Sequence, residues 1–531
     1  FKAEDGIRDV ERSRGLGDVY KRQLPVLFLV LMLVPLSAAK AQTETLTLKI
    51  ISPHWEGIRV EYERAFDEYY YALTGKHVDI EWIDVGGTSD IIAYVDSAFA
   101  ASNEETCNID IWWGGGVDPF IDQKAKGHLY SYKVKDEILN LIPPDISGVP
   151  MYDAEDYTWY GTALSGFGII YNKAVLKIEG LPEPKTWEDL TRPELRGWVG
   201  SADPRHSGST HMAYEIILQA YGWEKGLEIC TKLGANVKTW PESSSSVPKS
   251  VAAGDIAYGL AIDFYAWAQV AKVGADKIGY VMPEGLTVVN PDSIAILKGA
   301  PNLELAKAFV EFTLSKEGQK LWMLPVGAEG GPQKYLLGRM SVIPSLYDEL
   351  GEQSVVPVNP FKMKSVLTYN STLGSLRYVL VNDLLGAMII DTHADLVSVW
   401  GEIIGINKTL SEAGITSEHI TKAIETMGSA PLTESEALTL ASQWSDQSVR
   451  NKYISEWHSF ALDKYKSASE QAKLAAIELT QHFKKLIAQM ETEKQNNLYM
   501  GLGGGLILGI IVGAAIAYYM TRRKEIAAVK A

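Results

Sequence analysis

The stretch Thr43–Gly87, TETLTLKIISPHWEGIRVEYERAFDEYYYALTGKHVDIEWIDVGG, carries the information on fold class. Its first segment alternates apolar and polar residues as a half-buried strand does. A loop, a run with helical spacing, a second alternating segment and a pair of glycines follow. Strand, helix and strand in that order form a βαβ beginning and argue for an α/β sheet. The next segments, GGTSDIIAYVDSAFAA and NIDIWWGGGVDPFID, predict a helix opening at the hydroxyl residues Thr88 and Ser89, then an apolar strand running into Gly114, Gly115 and Gly116. In open α/β sheets ligands lie beyond the carboxyl ends of the strands. His54 in SPHWEG, Thr88, Ser89, Gly115 and Gly116 are therefore candidate ligand contacts, although a loop histidine is more often structural or solvated. Trp112 and Trp113 could stack on a ligand, but large aromatics at a strand end more often belong to a core.

A second unit is announced by YGTALSGFGIIYNKAVL, a strand that contains Ser165. It is followed by SADPRHSGSTHMAYEIILQAYGW, Ser201 to Trp223. Here an Asp-Pro turn and Ser207, Gly208, Ser209 and Thr210 stand directly before Ala213, Ile216, Ile217 and Ala220 at helical spacing. The plain reading is a capped helix. The sharper one is an anion site, because free N–H groups and the positive end of the helix dipole converge where the hydroxyls gather. A run of four serines that includes Ser244 and Ser245 precedes another helix. Three hydroxyl-rich segments, GGTSD, SGST and SSSS, thus each open a helix, which favours the anion reading.

The chain of 531 residues is long enough for two or three domains, and its 46% hydrophobic and 22% charged composition is that of a folded protein. A formal net charge of -16 without a basic stripe excludes nucleic acid as the main partner. The two cysteines, Cys107 and Cys230, form neither a disulfide scaffold nor a metal-ligand spacing and read as buried thiols. No cofactor fingerprint or Walker loop is present. Residues 21–41, with Lys21 and Arg22 before an apolar run and Ala39-Lys40-Ala41, predict a signal peptide; residues 1–20 look non-native. Leu498–Met520 is uncharged and long enough to span a bilayer. The basic cluster Thr521–Lys524 after it predicts a cytoplasmic tail, 521–531, and an extracytoplasmic binding domain at the cell membrane. The polar helix before the span, Asn451 to Asn497, could act as a stalk.

Four ordered motifs, DIWWGGGVDPF, GFGIIYNK, TWEDLTRPELRGWVGSADPRHSGST and NPDSIAILKGAPNLELAKAFVEFTLSKEGQKLW, resemble the extracellular solute-binding proteins of ABC importers. The type is that associated with ferric iron, phosphonate, thiamine and sugar-phosphate uptake, and the resemblance covers about Leu46 to Phe460. It implies a two-lobed type II periplasmic-binding-protein fold with two crossover segments, here with a helical C-terminal extension and a single transmembrane helix, as in a membrane-anchored archaeal variant. The expected divisions are 42–158 for the first part of lobe one and 159–282 for lobe two. Residues 283–460 would form the lobe-one return and C-terminal helices, 461–497 the stalk and 498–520 the membrane helix.

The partners implied are a small solute, captured and not transformed, and the importer's permease. Iron coordination would need paired tyrosines, because ferric ion prefers anionic oxygen. At the crossover AIDFYAWAQ offers only Asp263 and Tyr265 as ligand contacts, so no metal site is assigned. Two other readings exist. In a secreted hydrolase, Ser207 or Ser209 would work with His206 or His211, although no nucleophile elbow frames them. A ligand-sensing or surface-adhesion protein also fits the anchor, but the short tail leaves no room for a signalling domain.

Overall fold

The computed structural model describes residues 44–363 and 367–498. The leader, the signal peptide, the membrane span beyond Leu498 and the tail lie outside the described residues. The βαβ beginning is formed by Thr45–Ile51 (β1), Glu56–Thr74 (α1) and His77–Ile83 (β2). The two strands pair in parallel from Thr45 opposite His77 to Ile51 opposite Ile83. Leu48, Ile50 and Ile51 of β1 are wholly buried. Thr88–Ala101 (α2), Ile111–Trp113 (β3) and Val117–Ala125 (α3) complete the first part of lobe one. The residue that caps α2 is Gly87, whose N–H donates to Asp90 Oδ2 at 2.9 Å. Thr88 and Ser89 are thus the first helical residues, not caps as their types suggested. Trp112 and Trp113 are wholly buried and belong to the core.

The strand Tyr160–Asn172 (β4) is buried along all of its 13 residues. Lobe two follows as Val199–Gly200 (β5), Gly208–Tyr221 (α4), Trp223–Asn236 (α5), Ser246–Ala253 (α6), Tyr258–Ile262 (β6), Asp263–Val273 (α7) and Ile278–Val281 (β7). The chain returns through Val289–Ile296 (β8), Leu303–Leu314 (α8) and Lys316–Met323 (α9). The strand order is β2-β1-β3-β8-β4-β6-β5, with β7 also paired to β4. Up to Gly166, β4 runs antiparallel to β8; from Phe167 it runs antiparallel to β6. One strand therefore serves both lobes.

After these come Ser371–Leu385 (α10), a π-helical turn at Gly386–Ile390, His393–Glu412 (α11), Glu418–Gly428 (α12), Glu434–Ala441 (α13) and Gln447–Leu498 (α14). This helical extension is tied to lobe two: Trp400 Nε1 donates to Asn236 Oδ1 at 2.8 Å and Trp223 Nε1 to Leu432 O at 2.9 Å. It also reaches lobe one, where the Tyr369 hydroxyl donates to Asp118. Ser371–Ile390 is long and apolar enough to cross a membrane, but 72% of it is buried inside the protein, as a core helix would be. Helix α14 begins at Gln447 and runs for 52 residues, roughly 78 Å. It is longer than the polar segment expected from sequence. Its first half is packed, with Trp457, Ala461, Tyr465, Ala468, Ala472 and Ala475 buried at steps of three or four residues. From Ala476 to Thr492 no residue is buried, so a stalk-like character begins only there.

Two interactions between α4 and α10 are testable. Arg377 and Glu215 are both fully buried and joined by three hydrogen bonds of 2.8 to 3.2 Å, with Trp223 under the guanidinium. Arg377→Met leaves Glu215 buried without its charge partner and should cost about 3–5 kcal/mol. Arg377→Met combined with Glu215→Leu should recover most of that loss in urea unfolding. His211 donates from Nδ1 to Asn382 Oδ1 at 2.7 Å, and burial drives its pKa down from 6.5 to about 3. Below pH 6.5 the unfolded chain takes a proton at this residue that the folded chain refuses. Its contribution is therefore complete above pH 6.5 and is lost, at about 1.4 kcal/mol per pH unit, as pH falls toward 3. Unfolding curves of the wild type and His211→Gln across this window should differ in slope by that amount.

Candidate functional site

The two lobes and the extension enclose a cavity of about 400 Å³. Its middle is the start of α4. Ser207 caps that helix, its Oγ accepting the Thr210 N–H at 3.3 Å, and Ser209 Oγ donates to Ser244 Oγ at 2.8 Å from the serine run. Helix geometry leaves the first N–H groups of α4, those of Gly208 and Ser209, without carbonyl partners inside the helix. They point the positive end of the dipole at the same hydroxyls. Lobe one closes over this point. A Cβ on Gly208 would lie 2.7 Å from Thr88 Oγ1 and 3.1 Å from Tyr378 Oη, so only a glycine lets lobe one, lobe two and the extension meet here. Beside it His206 Nδ1 contacts Asp90 Oδ1 at 3.2 Å and Ser89 Oγ donates to Pro204 O at 3.2 Å, both across the interface of the lobes.

One end of the cavity carries a charged node. Arg339, 2% exposed, is ion-paired with Asp292 and donates to Ser165 Oγ at 2.8 Å, while its Nε has no partner among the described residues. Phe264 lies 4.6 Å from the guanidinium. Asp292 also accepts from the Gly115 N–H at 2.5 Å and from His54 Nε2 at 2.8 Å. Burial by itself would raise the Asp292 carboxyl, but Arg339 and His54 outweigh it and hold it below the usual carboxylate range. Burial lowers the pKa of His54, partly opposed by Asp292, so at neutral pH its ring is uncharged. Nε2 then carries the proton given to Asp292, and Nδ1 is left as a lone pair without a partner among the described residues. Arg59 adds a second cation at the rim, donating to His54 O at 2.6 Å and Asp84 Oδ2 at 2.7 Å. Burial pushes the Tyr265 phenol up to about 12.

Of the residues singled out in the sequence, His54, Thr88, Gly115, Gly116, Ser165, Ser207, Gly208, Ser209, Ser244, Ser245 and Tyr265 all line this one cavity. Three do not. Ser89 is turned to Pro204 and Asn382; the Thr210 hydroxyl donates to Ser207 Oγ at 3.1 Å; and Asp263 accepts the Gly166 N–H at 2.7 Å, with burial raising its carboxyl to about 7. Sequence reasoning missed Arg59, Asn290, Asp292, Arg339 and Tyr378, which also line it. Asn290 and Asp292 fall in the NPDS segment and carried a signal, because an Asn and an Asp in a strand that is otherwise apolar need buried partners. Arg339 and Tyr378 carried none. The rings of His206 and His211 make no hydrogen bond to the Ser207 or Ser209 hydroxyls; they turn to Asp90 and Asn382, and only the His211 backbone N–H reaches Ser207, at its carbonyl. The nucleophile and base of the hydrolase reading are thus not paired.

Residues 109–324 match the family model described as bacterial extracellular solute-binding protein. An uncharacterized protein of Haemophilus influenzae is 32% identical over 230 residues, 42% of this chain and 64% of its own length. The phosphoglycerate transport regulatory protein PgtC of Salmonella typhimurium is 29% identical over 164 residues, 31% of this chain and 40% of its own. The matched stretches thus span less than two thirds of these relatives. The periplasmic binding protein AfuA of Actinobacillus pleuropneumoniae, solved with fructose-6-phosphate, superposes with a TM-score of 0.52 at 22% identity. The superposition covers 67% of this chain and 98% of AfuA, so about a third of this chain, by difference, has no counterpart there. The shared architecture is the two-lobed periplasmic-binding-protein fold, built on a segment similar to bacterial solute-binding proteins.

Proposed function

We propose that this chain captures a small anionic solute outside the cytoplasm and delivers it to the permease of an ABC importer. The observation that carries the reading is the meeting of Ser207, Ser209 and Ser244 with the unpaired N–H groups of α4, inside a cleft that Thr88 closes from the other lobe. A phosphate ester, phosphonate or carboxylate would accept from these donors. Each hydrogen bond to a charged group would contribute about 1.5–3 kcal/mol. The internal pairing of Arg339 with Asp292 leaves the helix start as the better anion locus. The similarity to solute-binding proteins, and to relatives named for phosphoglycerate transport and a fructose-6-phosphate complex, points the same way. A ferric complex is the alternative cargo, because relatives named as a Fe(3+)-binding periplasmic protein and an iron uptake protein are 26% and 27% identical to this chain. Residues 21–41 as a signal peptide and Leu498–Met520 as an anchor would place the binding domain on the outer side of the cell membrane.

Thermal-shift screening against phosphate esters, phosphonates, thiamine, carboxylates and ferric chelates should find an anion that raises the melting temperature. Calorimetry with that anion then separates the roles of the serines. Ser209→Ala and Thr88→Ala should lower affinity roughly ten- to a hundred-fold with stability little changed. Ser207→Ala should in addition cost about 1 kcal/mol of stability, because the cap is lost. Unchanged affinity in both Ser209→Ala and Thr88→Ala would refute the anion site. For topology, protease added to intact cells should release the binding domain; protection until lysis would reverse the proposed orientation.

A further inference from the structure

Part of the cavity wall comes from the helical extension. Tyr378 on α10 lines it beside His211, the two rings 3.6 Å apart between centroids, together with Asn290 and Asp118 from lobe one. His211, Asn290 and Tyr378 are each 5% exposed or less. Yet His211 Nε2, Asn290 Oδ1, Tyr378 Oη and Asp118 Oδ1 have no hydrogen-bond partner among the described residues. Tyr378 Oη comes near Ser89, but no bond of acceptable geometry forms between them. Four orphaned polar atoms lining one cavity are far from the usual state of a folded interior, where such groups are paired.

We propose that the helical extension gives the cleft a second subsite, in which Tyr378, His211 and Asn290 hydrogen-bond uncharged hydroxyl groups of the solute. This rests on the anion reading above, with the charged end of the solute held at Ser209 and Gly208. The chemistry of the orphaned atoms selects the partner. His211 spends its only proton on Asn382, so Nε2 is an acceptor, and Asn290 Oδ1 is an acceptor by nature. Two acceptors repel a phosphate or carboxylate oxygen, which has no proton to give. Tyr378 has a proton to donate. A hydroxyl group both donates and accepts, and so suits all three. The position of Tyr378 agrees: its Oη lies 3.1 Å from where a Cβ of Gly208 would stand, so the subsite adjoins the anion locus directly. Burial lowers the pKa of His211 to about 3 and raises the Asp118 carboxyl above its ordinary range.

The test compares fructose 6-phosphate with methyl phosphate, similar charged heads with and without a hydroxylated body, on the full chain and on Tyr378→Phe. The wild type should bind fructose 6-phosphate more tightly. Tyr378→Phe should weaken fructose 6-phosphate roughly three- to tenfold and leave methyl phosphate unchanged. Its ligand-free melting temperature should not fall, because the deleted hydroxyl has no partner to lose. Equal affinity of the wild type for the two probes, or unchanged binding of fructose 6-phosphate by Tyr378→Phe, would overturn the subsite while leaving the anion site standing. Phosphoethanolamine bound more tightly than fructose 6-phosphate would also overturn it, since acceptors alone would then be selecting an ammonium. Failure of the wild type to bind any of the three would overturn the subsite, while the thermal-shift screen and the Ser209→Ala and Thr88→Ala titrations decide the anion reading separately.

Discussion

The lobes are held in register by a single strand that belongs to both sheets. Tyr160–Asn172 pairs with the returning strand of lobe one through its first half and with Tyr258–Ile262 of lobe two through its second. A strand buried on both faces must satisfy its backbone along its whole length. The change of partner at Gly166 and Phe167 therefore fixes where one sheet ends and the next begins. The second crossover runs beside it: a Cβ on Gly168 would fall 2.2 Å from Val281 O, a spacing only glycine permits. The cleft lies at this handover. Ser165 reaches it from the strand itself, and the Gly166 N–H is held by Asp263, so a residue read from the sequence as a ligand contact instead pins the backbone from which the cleft is built.

Charge and polarity are separated along the cleft by burial and pairing. At one end Arg339, Asp292 and His54 form a node whose charges largely cancel, although the Arg339 Nε and His54 Nδ1 remain free. In the middle, helix N–H groups and serine hydroxyls supply donors without any formal charge. Beside Tyr378, desolvation makes the charged forms of His211 and Asp118 costly. A net charge of -16 for the chain is compatible with anion capture on these terms, since the donors act at hydrogen-bond range and the bulk of the acidic groups is solvated elsewhere.

The helical extension changes what two-lobed closure involves. Arg377 and Glu215 bind it to lobe two through a fully buried ion pair, and Tyr369 touches Asp118 in lobe one. Lobe one thus meets lobe two at the hinge strands, at Thr88 against Gly208, and again through α10. The Tyr369–Asp118 hydrogen bond ties the extension to lobe one in addition to the shared strand.

The order of strands and helices, the βαβ start and the three hydroxyl-rich helix openings were legible because each rests on local periodicity or capping chemistry, which neighbouring residues determine by themselves. Eleven of the candidate residues line one cavity. Tertiary structure decided the rest, since those features arise from residues far apart in the chain. Thr88 does not cap its helix, because Asp90 reaches back to Gly87 first. Asp292 and Arg339 become a pair only when two strands and a returning loop converge. Tyr378 sits on a helix whose apolar composition suits a core or a membrane equally. Its place at the cleft was set by the packing of α10 across both lobes, and no spacing within its own segment could have announced it.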